Sequence, residues 1–228
     1  MNAIILAAGL GSRFGEMTKT CSKTLLRIGN LPGLEYTLTF LKRNGIEDIT
    51  IITGYHAEQF EYLKEKYGVR LVYNKYHKEY NSIYSFSLAL PYFSDTLVID
   101  GDVVILKDIL IHMEKSTYYL IQRAEEGKEW VPVCDSSGRV VKMTVSDKKV
   151  PSLLGVAYWT KHDAELIKSV YKNYMNDEIL KDLKKYWDEI PTTLYDYMDV
   201  RTVVINSSFA KEMDNKEDYE KVCKLIEK

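Results

Sequence analysis

Asn2-Ala3-Ile4-Ile5-Leu6-Ala7-Ala8-Gly9-Leu10-Gly11-Ser12-Arg13 decides the fold. Asn2 to Ala7 is a continuous apolar run, as in a strand buried on both faces, and Gly9 and Gly11 break it. Two glycines among small residues let the backbone approach a ligand closely, so that several N–H groups can face one anion. Ser12 adds a hydroxyl, and Arg13 and Lys23 add positive charge. A strand ending in such a loop reads as the first strand of a parallel sheet with a phosphate cradle at its carboxyl edge.

Working outward, strand and helix patterns alternate. A helix from Leu34 puts Leu34, Leu38 and Leu41 on one face and stops at Gly45. Asp48 to Thr53 is a second strand, residues 57–67 a helix closed by Gly68, Val69 to Tyr73 a third strand, and Ser82 to Leu90 a further helix. Thr96 to Ile99 is a fourth strand running into Asp100-Gly101-Asp102. This rhythm predicts an α/β fold, a mainly parallel sheet with helices on its faces. After about residue 115 the rhythm changes. Thr117 to Arg123, Glu129 to Cys134, Val140 to Val145 and Leu153 to Trp159 read as strands. Helices follow at 161–175, 178–188 and 192–199, then a strand at Arg201 to Ile205 and a last helix capped by Asp214 or Asn215.

A length of 228 residues suits one domain, with a first half to about 115 and a second from about 116 to 228. At 46% hydrophobic and 28% charged, the composition excludes a disordered or collagen-like chain. Lys+Arg 31 against Asp+Glu 33 leaves a net charge of −2, which argues against nucleic acid as a partner. No apolar run reaches the ~20 residues of a membrane span, and no basic leader precedes the first strand. Cys21, Cys134 and Cys223 are three thiols with no CxxC spacing, as expected of a cytoplasmic protein. The histidines show no zinc-hydrolase spacing.

Two competing glycine motifs fail. The dinucleotide fingerprint needs a third glycine five residues after Gly9, but Gly15 stands at six; GxxxxGK[ST] is absent. At the fourth strand, residues two apart point the same way, and carboxylates beside a phosphate loop suit Mg²⁺ held between protein and phosphate oxygens. A glycosyltransferase using D-x-D would account for Asp100 and Asp102, but not for G-x-G-S-R with Lys23. A regulatory relative with a decayed site would be free to lose these residues. Trp130, Trp159 and Trp187 all lie in the second half; with Glu129 or Asp188 nearby they could box a quaternary ammonium.

L-A-A-G-x-G-S-R with a following lysine, then a strand ending in an acidic loop, resembles the signature of bacterial nucleotidyltransferases. Gly54-Tyr55, Tyr80-Asn81-Ser82-Ile83-Tyr84-Ser85, Lys128-Glu129-Trp130, Gly155-Val156-Ala157-Tyr158-Trp159, Tyr186-Trp187-Asp188 and Glu212-Met213-Asp214 look like one branch. That branch contains the phosphocholine cytidylyltransferases and the relatives that activate 2-aminoethylphosphonate. The chain departs from its pattern at Ser22, where proline usually precedes the lysine, and at Gly15-Glu16-Met17 before Thr18.

The resemblance implies a Rossmann-like mixed sheet and transfer of CMP from CTP to a small phosphate or phosphonate, with release of pyrophosphate. It implies that Leu6, Ala8, Gly9, Gly11, Ser12 and Gly101 line the nucleotide, and that Asn81 and Ser82 lie beside base and ribose. Lys23 and Arg13 would serve the phosphates, Asp102 and Asp214 would hold Mg²⁺, and Trp130, Trp159, Trp187 and Glu129 would take the acceptor. Such a nucleophile is ionised at neutral pH, so no general base is needed. The choice of cytosine over uracil rests on the resemblance alone. Phosphocholine, phosphoethanolamine, 2-aminoethylphosphonate and sugar phosphates all stay open as acceptors.

Overall fold

The computed structural model describes residues 1–111, 114–123 and 127–226. In chain order the strands are β1 (Asn2–Ala7), β2 (Arg27–Ile28), β3 (Leu31–Pro32), β4 (Ile49–Thr53), β5 (Arg70–Tyr73), β6 (Thr96–Asp100), β7 (Val103–Ile105), β8 (Thr117–Gln122), β9 (Glu129–Cys134), β10 (Val140–Ser146), β11 (Pro151–Trp159), β12 (Arg201–Ile205) and β13 (Ala210–Glu212). The helices are α1 (Gly33–Arg43), α2 (Tyr62–Tyr67), α3 (Ser82–Ser87), α4 (Lys161–Tyr171), α5 (Asp177–Lys181), α6 (Glu189–Thr192) and α7 (Lys216–Ile226).

Seven strands form the main sheet in the order β12-β8-β11-β6-β1-β4-β5. Of these seven, only β11 runs against the others; it is antiparallel to both β6 and β8. The fold is therefore a mainly parallel sheet with flanking helices, as the sequence rhythm predicts, and it is mixed, as the family resemblance implies. The register is what builds the site. Ala7 pairs with Thr53 on one side, and Leu6 pairs with Asp100 on the other. The loops after β1, β4 and β6 therefore emerge together at one edge.

The two-residue period of the strands sorts their side chains into two cores. Ile5, Ile51 and Ile99 cluster with Leu34 and Leu38 of α1, Leu63 of α2 and Phe60 in the turn before α2. Ile4, Ile52 and Val98 cluster with Phe86 of α3 and Ile167 of α4, and with Phe93 and Trp159. Each fully buried side chain of this size contributes roughly 1.5–3 kcal/mol. A third cluster seats α7 through Val222 on Phe14, Ile28 and Met213. Asn215 caps α7, its Oδ1 accepting from Asp218 N at 3.0 Å. Among the described residues no helix is long and apolar enough to cross a membrane.

Three helices differ from the sequence reading. The helix expected at 178–188 ends at Lys181. Asn81 Nδ2 takes the carbonyls of Ile179 and Asp182, and Asp182 Oδ1 accepts from Lys184 N in a turn of its own. The helix expected at 192–199 instead starts earlier and is short, Glu189–Thr192, followed by a single tight turn at Tyr195–Tyr197. Ser82–Ser87 falls short of Leu90 because Pro91 opens a new turn. The pairing of β7 with β13, which joins Val103 to Glu212, was not foreseen.

Candidate active site

The carboxyl edge of the sheet opens into a cleft of about 660 Å³. Leu6, Ala8, Gly9, Gly11 and Ser12 line it, with Arg13 and Lys23 at the same end. Gly11 is left-handed, at φ 65°, and a Cβ there would lie 3.0 Å from Thr18 Cγ2 and 3.2 Å from Lys23 Cβ. The glycine thus lets the loop fold back and bring Lys23 under it. Thr18 Oγ1 ties the fold-back by donating to Gly11 O at 2.9 Å. Ser22, where a proline was expected, is fully buried and its N–H donates to Gln59 Oε1 at 3.0 Å. A hydrogen bond that proline could not make fixes the loop there.

Acids and cations alternate across the floor. Lys23 Nζ pairs with Asp102, and Arg13 Nη1 with Asp214 Oδ1 at 2.9 Å. The two aspartates lie 112 positions apart in sequence, yet Met213 N donates to Asp102 O at 2.9 Å, so the β7–β13 pairing sets them side by side. Burial works to lower the Lys23 pKa, but Asp102, Asp214 and Asp100 together hold it above its usual value. Asp100, at the end of β6, stands among other acids. Desolvation, with Asp188, Asp102 and Glu212 close by, raises its pKa well above the carboxylate range. Burial pushes Asp188 up to about 7. It pushes Glu212 up to about 8, against the pull of Arg123, whose Nη1 lies 2.5 Å from Glu212 Oε2.

The aromatic end is smaller than the sequence suggested. Trp130 lines the cleft and meets the half-exposed Tyr186 edge to face, with centroids 6.5 Å apart. Glu129 lies beside them, its Oε2 3.4 Å from Arg123 Nη2. Trp187 reaches the cleft wall, but is only 2% exposed and stacks flat on Phe86 at 4.2 Å. Trp159 corrects the expectation. It is fully buried against Tyr118 and pairs with Thr96, the first residue of β6. Because β11 runs backwards, its last residue falls at the far edge of the sheet, away from the cleft.

The structure adds detail at three further positions. Gly101 is not a cleft residue. A Cβ there would lie 2.7 Å from Leu6 O and 2.9 Å from Ala7 Cα, so it is the close contact between β6 and β1. Asn81 lines the cleft with its amide already committed: Oδ1 caps α3 at Ile83 N, and Nδ2 donates to Ile179 O and Asp182 O. Ser82 Oγ accepts from Trp187 N at 3.0 Å. These two residues pin the 176–188 segment over the site. The sequence reading missed Arg123, Lys128, Lys185 and His77, which also line the cleft. The strand ending at Arg123 and the motif Lys128-Glu129-Trp130 were the available signals.

A phosphate cradle at the carboxyl edge of a sheet of this order, facing an acid-lined floor, defines a nucleotidyltransferase. The family model of the MobA-like NTP transferase domain matches residues 3–179, and the chain belongs to that family. It is 46% identical to the choline-phosphate cytidylyltransferase of Haemophilus influenzae, over 99% of this chain and 97% of the relative. It is 28% identical to the 2-aminoethylphosphonate cytidylyltransferase of Lancefieldella rimae, over 94% of this chain and 88% of the relative. The solved structure of the CTP:phosphocholine cytidylyltransferase of Streptococcus pneumoniae superposes with a TM-score of 0.92 at 36% identity, covering 99% of this chain and 98% of that one.

Proposed function

We propose that this enzyme transfers CMP from CTP to phosphocholine and releases pyrophosphate. The observation that carries the reading is one cleft that joins the Gly9–Arg13 cradle and Lys23 to an open aromatic face, Trp130 with Tyr186, beside the acids Glu129 and Asp188. The Haemophilus and Streptococcus relatives named for this reaction, matched over nearly the whole chain, support it. An aromatic face with carboxylates nearby suits an alkylated ammonium, which attracts a ring by ~0.5–2 kcal/mol.

In the reaction a phosphocholine oxygen forms a bond to the α-phosphorus of CTP as the bond to the β-phosphate oxygen breaks. The nucleophile is already an anion, so the work lies in positioning two anions and offsetting their repulsion. Backbone N–H groups of the glycine loop, Lys23 and Arg13 face the triphosphate. Asp102 and Asp214 fit Mg²⁺: both carboxylates line the cleft beside the phosphate loop, and they are the oxygen donors this ion prefers. Bound there, Mg²⁺ would neutralise phosphate charge. Lys128 and Lys185, also in the cleft, offer charge to the acceptor phosphate.

The test is a panel of CTP, UTP, ATP and GTP crossed with phosphocholine, phosphoethanolamine, 2-aminoethylphosphonate and a sugar 1-phosphate, with pyrophosphate as readout. The highest kcat/KM should fall on CTP with phosphocholine. Faster turnover of 2-aminoethylphosphonate would overturn the acceptor, and faster turnover of UTP would overturn the nucleotide.

A further inference from the structure

We infer that His77 selects the base, accepting a hydrogen bond from the 4-amino group of cytosine and repelling the 4-oxo group of uracil. The inference rests on the reading of the cleft as a CTP site. The cradle, Lys23 and Arg13 fix the phosphates at one end, and Trp130 with Tyr186 occupy the acceptor end. What remains for the nucleoside is the wall beyond Ala8, where His77, Asn81, Ser82 and Ser85 face the cleft.

Most polar side chains on that wall are already engaged. Asn81 has its oxygen and both amide hydrogens in protein bonds. Tyr80 donates to Asp177, Ser85 Oγ accepts from Asn74 Nδ2 at 3.0 Å, and Ser82 Oγ accepts from Trp187 N. His77 differs. Its Nδ1 lies 3.0 Å from Asn74 O, and a carbonyl can only accept, so Nδ1 carries the proton. The neutral ring is thereby held in the tautomer whose Nε2 is a bare acceptor, and Nε2 has no partner among the described residues.

The frame holding His77 is rigid. A Cβ on Gly54 would lie 2.6 Å from His77 Cβ and 2.7 Å from Ala8 O, so only glycine lets this loop close against the end of β1. Asn74 is fully buried; its N–H donates to Thr53 O at 2.8 Å and its Oδ1 accepts from Tyr76 N at 2.8 Å. The carbonyl that sets the tautomer is therefore fixed in place. At position 4 of a pyrimidine, cytosine presents a donor and uracil an acceptor. A fixed acceptor opposite it discriminates by leaving two lone pairs facing each other in the wrong complex.

The experiment measures CTP and UTP binding by calorimetry, and turnover of both with phosphocholine, for the wild type, His77→Phe and His77→Gln. Thermal unfolding verifies that each variant is folded. Phe keeps a ring beside Tyr55 and Tyr73, whose centroids lie 6.4 and 6.2 Å from that of His77, and removes the acceptor; Gln restores one. Wild type should prefer CTP, His77→Phe should lose about 10–100-fold of that preference, mainly through weaker CTP binding, and Gln should recover part of it. An unchanged CTP:UTP ratio in His77→Phe, or equal losses for both nucleotides, would overturn the inference. So would a wild type that binds both alike. Base-selective binding lost in His77→Phe, with no pyrophosphate released from any acceptor, would sink the proposed reaction and leave the role of His77 standing.

Discussion

Raising the pH should weaken the apoenzyme across the neutral range, and Glu212→Gln should remove part of that loss. Burial holds Glu212 at about 8 instead of the ordinary 4.5. The folded protein therefore keeps a proton that the unfolded chain gives up, and stability falls as pH rises between those two values. For a carboxyl with a side chain 17% exposed, the full cost once ionised is on the order of 5 kcal/mol, at about 1.4 kcal/mol per pH unit. Asp188, held at about 7, and Asp100, raised well above the carboxylate range, act in the same direction. The acid limb has the opposite sign. Asp135 is lowered to about 2 by its bonds to Ser137 and Arg139, and Asp199 is lowered by Arg201 and Lys115, so stability is lost again below about pH 4. Urea unfolding in a chelator at pH 5 to 9 and constant ionic strength measures the curve. Wild type should lose several kcal/mol from pH 5 to 8.5. Glu212→Gln, which keeps an oxygen for Arg123, should follow a shallower slope. Parallel curves for the two proteins, or stability rising with pH, would refute the account of the acid cluster.

Lys23→Ala should lower kcat by ~10²–10³ while the protein stays folded, since a preorganised cation at the phosphates is removed; a loss of only a few-fold in pyrophosphate release would contradict its role. Trp130→Ala should raise the KM for phosphocholine some three- to thirtyfold, with a smaller change for phosphoethanolamine and none in CTP binding. Trp159→Ala should instead cost about 3–5 kcal/mol of stability and leave acceptor preference untouched, so an altered preference in that variant would show that its position has been misread. Gly155→Ala must place a Cβ 2.8 Å from Asp100 Oδ2 in a left-handed residue at φ 74°. It should lower Tm by several degrees, and a Tm equal to wild type would show that the acid pocket yields freely.

The first half of the fold was legible because its signals are local. An apolar run, two glycines and a cation ten residues further on are contiguous in sequence, and the backbone of Gly11 needs its left-handed turn whatever packs around it. Lys23, Arg13 and Asp102 follow from that loop and the strand end after it, whereas Asp214 is named by the family resemblance alone. The details that the sequence did not display are those that depend on a distant partner. Asn81 and Ser82 stand at the cleft, yet what their polar atoms do is set by Ile179, Asp182 and Trp187, about a hundred positions away. His77 offered no motif; its tautomer is set by the carbonyl of Asn74, a backbone atom that no side-chain pattern displays.

Strand direction accounts for the tryptophans. Along a parallel strand, later residues approach the ligand edge, but the strand pattern of Leu153 to Trp159 carries no sign of its direction. On β11 the sense is reversed: Val156 pairs with Ile99 next to the acidic loop, and Trp159 pairs with Thr96 at the other end. The reversal also gives Gly155 its purpose. It sits where β11 passes the end of β6, at a break in its pairing with β8 between Leu153 and Ala157, and its missing side chain makes room for the carboxylates of Asp100 and Glu212. The same segment thus contributes at both ends, by absence at the cleft and by bulk in the core. A substitution at Gly155 should therefore disturb the acid pocket, while one at Trp159 should disturb only the packing that supports it.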